Sequence, residues 1–134
     1  VLVDTPPSLS LLTVNVLAFA QDVLVPCQTH PYAYSALDEL LETLAAVKEE
    51  INPDISIMGV LATFFDRRTR VSQRILETLQ SDERLTGKVY KTVVRINTTI
   101  AESAYFNKPV VFFRRSSSGA QDYLALADEI LDTP

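Results

Sequence analysis

Glycine is scarce in this 134-residue chain, which has only Gly59, Gly87 and Gly119, each standing alone. A phosphate-binding loop of the form G-x-x-x-x-G-K-[ST] needs glycines at a fixed spacing, because its backbone N–H groups must approach the phosphates closely. Neither this motif nor a looser variant of it occurs in the sequence. We therefore expect that the chain cannot hydrolyse a nucleoside triphosphate unaided.

Cysteine and long apolar runs are also scarce. The single cysteine, Cys27, excludes an internal disulfide and is typical of a small buried side chain in a reducing cytosol. The apolar run over residues 9–20 is shorter than the roughly 18 residues that a membrane-spanning helix needs. The net charge of −5 argues against a strongly basic nucleic-acid binder, while local basic patches remain compatible with it.

Apolar strand-like segments alternate with helical patterns along the chain, which is typical of parallel βαβ units in a layered α/β fold. The predicted strands are residues 1–3, 22–26, 55–65, 88–94 and 110–113. Helices are predicted between them: a largely buried one over 9–20, one capped by Ser35, one over about 71–80, one capped by Thr98 or Thr99, and one opened by Gly119.

The first eight residues carry the most specific chemistry. Residues 1–3 predict a buried strand of a parallel sheet, and Asp4 follows at its carboxyl end, where open α/β sheets bind ligands. A single carboxylate there suits Mg²⁺, which takes few protein ligands beside substrate phosphates. Pro6 and Pro7 then fix the backbone, so the chain leaves the strand stiffly, as a nucleotide-sensing turn would. An ordinary strand-ending aspartate is the alternative interpretation of Asp4.

Arginines cluster after the third predicted strand, at Arg67, Arg68 and Arg70, and Arg74 follows on the next helix. Guanidinium groups match phosphate oxygens, so nucleotide or DNA-backbone contact is the functional interpretation. A solvated loop and helix start is the alternative. The only histidine, His30, has no paired Cys, Asp or second His nearby, and we expect it to be an exposed loop residue.

The final helix is predicted to be acidic and to pack through one apolar face. The residues of that face are Tyr123, Leu124, Ala127, Ile130 and Leu131. Its polar positions are Asp122, Asp128, Glu129 and Asp132. A helix that lies on anionic membrane needs Lys and Arg on its polar face, so we expect no membrane partner.

Several motifs, taken in order, resemble the ParA branch of the ParA/MinD partitioning ATPases. They are Asp-Thr-Pro-Pro-Ser at 4–8, Asp-Val-Leu-Val-Pro at 22–26, Gly-Val-Leu at 59–61, Asp-Arg-Arg-Thr at 66–69, Val-Tyr-Lys-Thr-Val at 89–93, Lys-Pro-Val at 108–110 and Gly-Ala at 119–120. The resemblance spans almost the whole chain.

The resemblance implies an incomplete P-loop NTPase-like α/β fold, in which residues 1–134 form the C-terminal portion of a single ATPase domain. The complete protein would bind ATP and Mg²⁺, form a homodimer around the nucleotides, and bind DNA non-specifically at the nucleoid, in the cytoplasm. A centromere-binding ParB-like partner would stimulate hydrolysis and release it. Because the other half of such a domain would cover this sheet, we expect an exposed strand edge near residues 1–3 that promotes association.

Site residues carry over from the family by position. Asp4 would hold the metal through water, and Asp4, Pro6, Pro7 and Asn97 would lie at the nucleotide. Non-specific DNA contact would come from the three arginines of the loop; Arg68 is the first choice among Arg67, Arg68 and Arg70, because Arg68-Thr69 matches the family's Arg-Thr.

One loop departs from the family. Many relatives have Pro-Arg-Asn followed by a further basic residue, whereas this chain has Arg95-Ile96-Asn97 with Thr99 at the later basic position. Asn97 matches, and the basic pattern is displaced.

Two other functions remain open. One is another member of the same ATPase class, either MinD-like or a cobyrinate-diamide-synthase-like ligase. The other is a non-catalytic interaction module, which the missing phosphate loop supports. ATP binding by the isolated chain discriminates, because an interaction module should show none.

Overall fold

A computed structural model describes residues 1–6, 8 and 10–132. The strands are β1 Asp22–Gln28, β2 Ser56–Phe65 and β3 Val89–Arg95. The helices are α1 Leu11–Leu17, α2 Pro31–Glu50, α3 Arg70–Ser81, α4 Thr98–Tyr105, α5 Val110–Phe113 and α6 Ser118–Asp132, with a 3₁₀ turn at Glu83–Leu85. The strands pair in parallel in the order β1-β2-β3. The predicted α/β architecture, a parallel sheet with flanking helices, is confirmed.

The two faces of the central strand β2 build two cores, because successive side chains of a strand point to opposite faces. Val60 and Ala62 pack on one face in a cluster that includes Leu37 of α2 and Leu79 of α3. Leu61 packs on the other face in a cluster that includes Leu126 of α6. Helices α2 and α3 therefore cover one face of the sheet, and α6 covers the other.

Gly59 of β2 is required by a close contact. A Cβ atom at this position would overlap the ring of Tyr90 on β3. The absence of a side chain therefore lets the Tyr90 ring lie directly on the β2 backbone, where the tyrosine is 7% exposed.

The outer edge of β3 is closed by carboxylates of α6 rather than by another strand. Glu129 accepts the backbone N–H groups of Lys91 at 2.7 Å and of Thr92 at 2.9 Å. Asp122 accepts the backbone N–H of Arg95 at 3.0 Å. These bonds satisfy backbone N–H groups that would otherwise donate to a neighbouring strand.

The strand predicted over residues 110–113 is wrong, because these residues form the short helix α5. A run of four apolar residues does not distinguish strand from helix by its pattern. The backbone N–H groups at the outer edge of β3 are already bonded to α6. Residues 110–113 therefore gain more by packing on helices than by pairing with β3. Val110 is buried, and the ring of Phe113 stacks on Phe106 just after α4.

The strand predicted over residues 1–3 is also wrong, since these residues are unpaired and exposed. A strand forms only where a neighbour takes up its backbone groups. Among the described residues, β1 pairs with β2 alone. Residues 1–3 therefore do not add a strand beside β1. Helix α1 is likewise less buried than predicted, with Leu11, Leu12 and Phe19 exposed.

Two predicted boundaries near β1 and α2 were wrong as well. β1 continues through Pro26 to Gln28, because proline is tolerated on a strand whose N–H side faces away from its partner. α2 begins at Pro31 rather than after Ser35, since proline suits the first helical position and His30 supplies the cap.

The predicted packing face of α6 is mostly exposed. Tyr123, Leu124 and Leu131 are exposed, whereas Asp122 and Leu126 are buried. The buried side is fixed by the hydrogen bonds of the α6 carboxylates to β3, which override the apolar pattern.

Candidate functional site

A large groove, which we call the β1 groove, runs beside the open edge of β1. Its volume is about 1230 Å³, and its lining includes Asp4 and Pro6, the β1 residues Val23 and Val25, and Leu37 of α2. Because β1 is bonded on one side only among the described residues, its free backbone groups face this groove. The groove therefore offers both a strand edge and polar side chains.

Asp4 is an exposed carboxylate on the wall of the β1 groove. Nowhere in residues 1–6, 8 and 10–132 do three or more His, Cys, Asp or Glu side chains gather as a metal-binding group. A lone carboxylate fits Mg²⁺ because that ion keeps several waters and takes its other ligands from phosphates. Pro6 lines the same groove, and Pro7 lies outside the described residues.

Asn97 lies at the carboxyl end of β3, on the far side of the sheet from β1. Its Oδ1 accepts the backbone N–H of Thr99 at 2.8 Å, and its Nδ2 donates to Ser118 Oγ at 2.5 Å. Asn97 therefore caps α4, a role that the sequence had predicted for Thr98 or Thr99. The structure brings Asp4 and Pro6 together but not Asn97 with them.

The arginine loop after β2 is shaped by an internal ion pair. Asp66 accepts the backbone N–H of Arg68 at 2.9 Å and its Nη2 at 3.1 Å. Hydrogen bonding from Arg68 lowers the pKa of the Asp66 carboxyl below its usual value. The pair uses Nε and Nη2 of Arg68, and the Arg68 side chain remains 89% exposed.

Arg67, Arg70 and Arg74 are exposed, and none of them forms an ion pair within the described part of the chain. Arg70 and Arg74 lie one turn apart on α3 and border a shallow second groove, the α3 groove, of about 560 Å³. Its apolar lining includes Pro31, Val71 and Ile75. Of the predicted DNA contacts, Arg67 and Arg70 are thus available for phosphate.

Sequence reasoning missed the buried hydroxyls that hold this loop. Thr29, just after β1, donates to the Phe64 carbonyl at 3.1 Å and lies 2.5 Å from Ser72 Oγ. Ser72 Oγ in turn accepts the backbone N–H of Asp66 at 3.0 Å. The available signal was a polar residue directly after a buried strand, which is where parallel sheets place functional groups.

None of the described helices combines the length and apolarity that crossing a membrane would require.

Comparison with known proteins gives consistent similarities. A family model described as an AAA domain matches residues 1–57. The chain is 37% identical over 136 residues to the chromosome partitioning protein ParA of Myxococcus xanthus, covering 100% of this chain and 47% of that protein. It is 38% identical over 130 residues to the sporulation initiation inhibitor protein Soj of Bacillus subtilis, covering 97% of this chain and 51% of that protein.

The fold is similar to solved structures of a related class. Cobyrinic acid a,c-diamide synthase from Mycobacterium smegmatis, solved with bound ADP and magnesium, matches with a TM-score of 0.74 at 31% identity. The match covers 96% of this chain and 44% of that one. The chain thus spans about half the length of the proteins it matches. Along 97–100% of its length the chain is similar in sequence to ParA and Soj partitioning proteins.

Proposed function

We propose that this chain is part of a ParA-type ATPase that partitions plasmids or chromosomes. The observation that carries the proposal is the similarity to ParA and Soj proteins along 97–100% of the chain. On this proposal the chain is the C-terminal portion of one ATPase domain. A segment carrying the phosphate loop would complete it, and the open edge of β1 is where such a segment can add a strand.

The nucleotide site is proposed to lie at the β1 groove. When bound, Mg²⁺ would neutralise phosphate charge, which is the main demand of phosphoryl transfer. Asp4 would orient a metal-bound water from the groove wall. Pro6 and Pro7 would keep the turn stiff, so that a phosphate contact at Asp4 moves the turn as a unit. Asn97 is the proposed contact with the base, and its Nδ2 is at present bonded to Ser118 Oγ.

The assembled protein is proposed to form a homodimer around ATP, to bind DNA non-specifically at the nucleoid, and to be released by a ParB-like partner. Arg67, Arg68 and Arg70 are the proposed phosphate contacts; Arg68 is paired with Asp66 and its side chain is exposed. Each lost phosphate contact should reduce the slope of log binding constant against log salt concentration by about 0.9.

Reconstitution tests the proposed activity. The chain is mixed with a phosphate-loop segment from a ParA family member, and phosphate release from Mg-ATP is measured with and without DNA. Activity should appear only in the mixture and should fall at least about tenfold in Asp4→Asn, the loss expected when a group that positions the metal is removed. Asp54→Asn, an exposed residue before β2, is the matched control. A mixture that folds but releases no phosphate would refute the proposal.

A second candidate is a ligase of the cobyrinate-diamide-synthase kind, which the TM-score of 0.74 to that structure favours. A third is a non-catalytic interaction module. DNA-stimulated hydrolysis without any amide product would favour partitioning over the ligase. Absence of nucleotide binding in chain and mixture alike would favour the module.

A further inference from the structure

Phe64, near the carboxyl end of β2, has a backbone conformation that its side chain does not favour. Its φ is 52°, in the left-handed region, where an aromatic residue is an outlier. Phe64 is 60% exposed, so burial of its ring does not account for this conformation. Such a backbone persists only where surrounding contacts fix it. The contacts here come from the buried hydroxyls of Thr29 and Ser72.

The two hydroxyls form a hydrogen-bond chain that has one possible direction. Thr29 Oγ1 lies 3.1 Å from the Phe64 carbonyl, which can only accept, so the single hydroxyl proton of Thr29 is donated there. Ser72 must then donate its own proton to Thr29 Oγ1, at 2.5 Å. Ser72 Oγ in turn accepts the Asp66 backbone N–H at 3.0 Å. The chain therefore runs from the N–H of Asp66 through both hydroxyls to the carbonyl of Phe64.

Both hydroxyl residues are buried and are themselves fixed by the fold. Thr29 is 7% and Ser72 3% exposed, so water has little access to their bonds. The Thr29 backbone N–H donates to the Thr63 carbonyl at 2.9 Å, which continues the pairing of β1 with β2. Ser72 lies in the first turn of α3, which is capped by Thr69. The hydrogen-bond chain thus ties the ends of β1 and β2 to the start of α3.

The arginine loop, residues 66–70, lies between these fixed points. The Arg67 carbonyl accepts Gln73 Nε2 at 2.6 Å, and Asp66 Oδ1 accepts the Arg68 backbone N–H at 2.9 Å. Arg67, Arg68 and Arg70 are all exposed. The loop backbone is therefore held from within, while its three arginines are accessible to a ligand.

We propose that Thr29 and Ser72 are positioning residues, which hold the arginine loop in one arrangement for phosphate contact. The inference rests on the proposed function, in which this loop contacts DNA phosphates. A loop that is ordered before binding loses less conformational entropy when its side chains bind. Because both hydroxyls are buried beneath the loop, they act through the backbone of residues 64–66 and not by contact with the ligand.

Hydrogen exchange on the full chain, followed by NMR without any ligand, tests the positioning. Thr29→Val keeps the shape of the side chain and removes its hydroxyl, whereas Thr29→Ser keeps the hydroxyl. In Thr29→Val the Asp66 amide should exchange at least about tenfold faster, as expected when a buried hydrogen bond beside it is lost. Thr29 does not bond this amide directly, so the change reports on the loop. The central amides of β1 and β2 should exchange as in the wild type, and Thr29→Ser should exchange as the wild type throughout.

Binding of a fluorescent DNA duplex to the reconstituted mixture with Mg-ATP, at several salt concentrations, tests the use of that arrangement. Thr29→Val should bind about fivefold more weakly, the order of the cost of ordering long side chains. Its salt slope should stay at the wild-type value because every guanidinium group remains, whereas Arg67→Ala/Arg70→Ala should lower the slope. Thr29→Ser should restore the affinity.

The matched control is Thr43→Val, which removes a hydroxyl that donates to the Glu39 carbonyl within α2. It should change neither the exchange of the Asp66 amide nor the DNA affinity. Circular dichroism confirms the fold of each variant, and Ser72→Ala replaces Thr29→Val if the latter does not fold. Unchanged exchange in Thr29→Val overturns the inference, as does equal exchange in Thr29→Val and Thr29→Ser, or faster exchange with wild-type DNA affinity. A wild type that binds no DNA would refute the proposed DNA contact, and the exchange rates would still decide whether the hydroxyls position the loop.

Discussion

The Asp122 carboxylate of α6 accepts hydrogen bonds from both the backbone and the side chain of Arg95 of β3. Oδ2 accepts the Arg95 backbone N–H at 3.0 Å, and Oδ1 accepts Nη2 at 2.6 Å. Asp122 is 8% exposed and forms its ion pair with Arg95 at 2.6 Å. The pair fixes the end of β3, two residues before Asn97, and attaches α6 to the sheet.

Asp122→Asn should therefore destabilise the fold. The amide cannot compensate the Arg95 charge, and it places an NH₂ group where an acceptor is needed. We expect a loss of about 1–3 kcal/mol in the free energy of unfolding, the range for leaving a buried partner unsatisfied. Urea unfolding followed by circular dichroism measures it. Glu102→Gln, an exposed residue of α4, should stay within about 0.5 kcal/mol. Equal effects of the two variants would show that the Asp122–Arg95 pair contributes nothing to the free energy of unfolding.

Gly59→Ala should destabilise through a steric conflict with Tyr90. The added Cβ would overlap the tyrosine ring, and the ring is buried, so it cannot move into solvent. Overpacking of this kind costs about 1–3 kcal/mol. Tyr90→Val in the Gly59→Ala background should recover part of the loss, because the smaller side chain leaves room. A double mutant that shows only the sum of the two single losses would exclude a direct conflict.

His30→Asp should stabilise α2. His30 Nδ1 accepts the backbone N–H of Tyr32 at the long distance of 3.4 Å, so the present cap is weak. Aspartate is among the best N-cap residues, and its charge interacts favourably with the helix dipole. We expect a gain of about 0.5–1 kcal/mol at neutral pH, measured as a higher urea midpoint. Ser35→Asp, one turn inside the helix, is the control; an equal gain there would point to general charge effects.

Acid should weaken the contact between α2 and the 3₁₀ turn, in which the Tyr34 hydroxyl of α2 donates to Asp82 at 3.1 Å. Hydrogen bonding from Arg84 lowers the pKa of this carboxyl to about 2. In an unfolded chain its pKa is about 3.9. The folded value is the lower one, so the stabilisation is complete above about pH 4 and is lost as the pH falls toward 2. Asp82→Asn should flatten the pH dependence of stability in this window. An unchanged slope would contradict the assignment.

The parts of this fold that follow from sequence are those in which local pattern and tertiary contacts agree. The β2 run from Ser56 to Phe65 and the helix Arg70–Ser81 were predicted within a residue or two. Their apolar spacing matches the face that is buried.

The parts that do not follow are those decided by distant partners. Residues 110–113 have strand-like composition, yet the donors of β3 are already taken by Glu129 and Asp122. No local pattern announces that two acids on a later helix will bind a strand edge. The same bonds turn Leu131 to the solvent, although its spacing predicted a buried face.

The candidate site follows from sequence to a similar extent. Asp4 and Pro6 line one groove, although the residues before them do not form the strand from which the site was predicted. The pairing of Arg68 with Asp66, and the hydroxyls of Thr29 and Ser72 beneath the loop, depend on three-dimensional packing. Motif matching therefore ranked Arg68 above Arg67 and Arg70 without seeing that its charge is already engaged.

Calorimetric titration of Mg-ATP is the most direct test of the central claim, that this chain completes a ParA-type nucleotide site. The chain is titrated alone, and then together with a phosphate-loop segment from a ParA family member. We expect no binding by the chain alone, binding by the mixture, and a loss of about tenfold or more in affinity with Asp4→Asn, as for other groups that position a bound metal. Binding by the chain alone, or by neither sample, would contradict it.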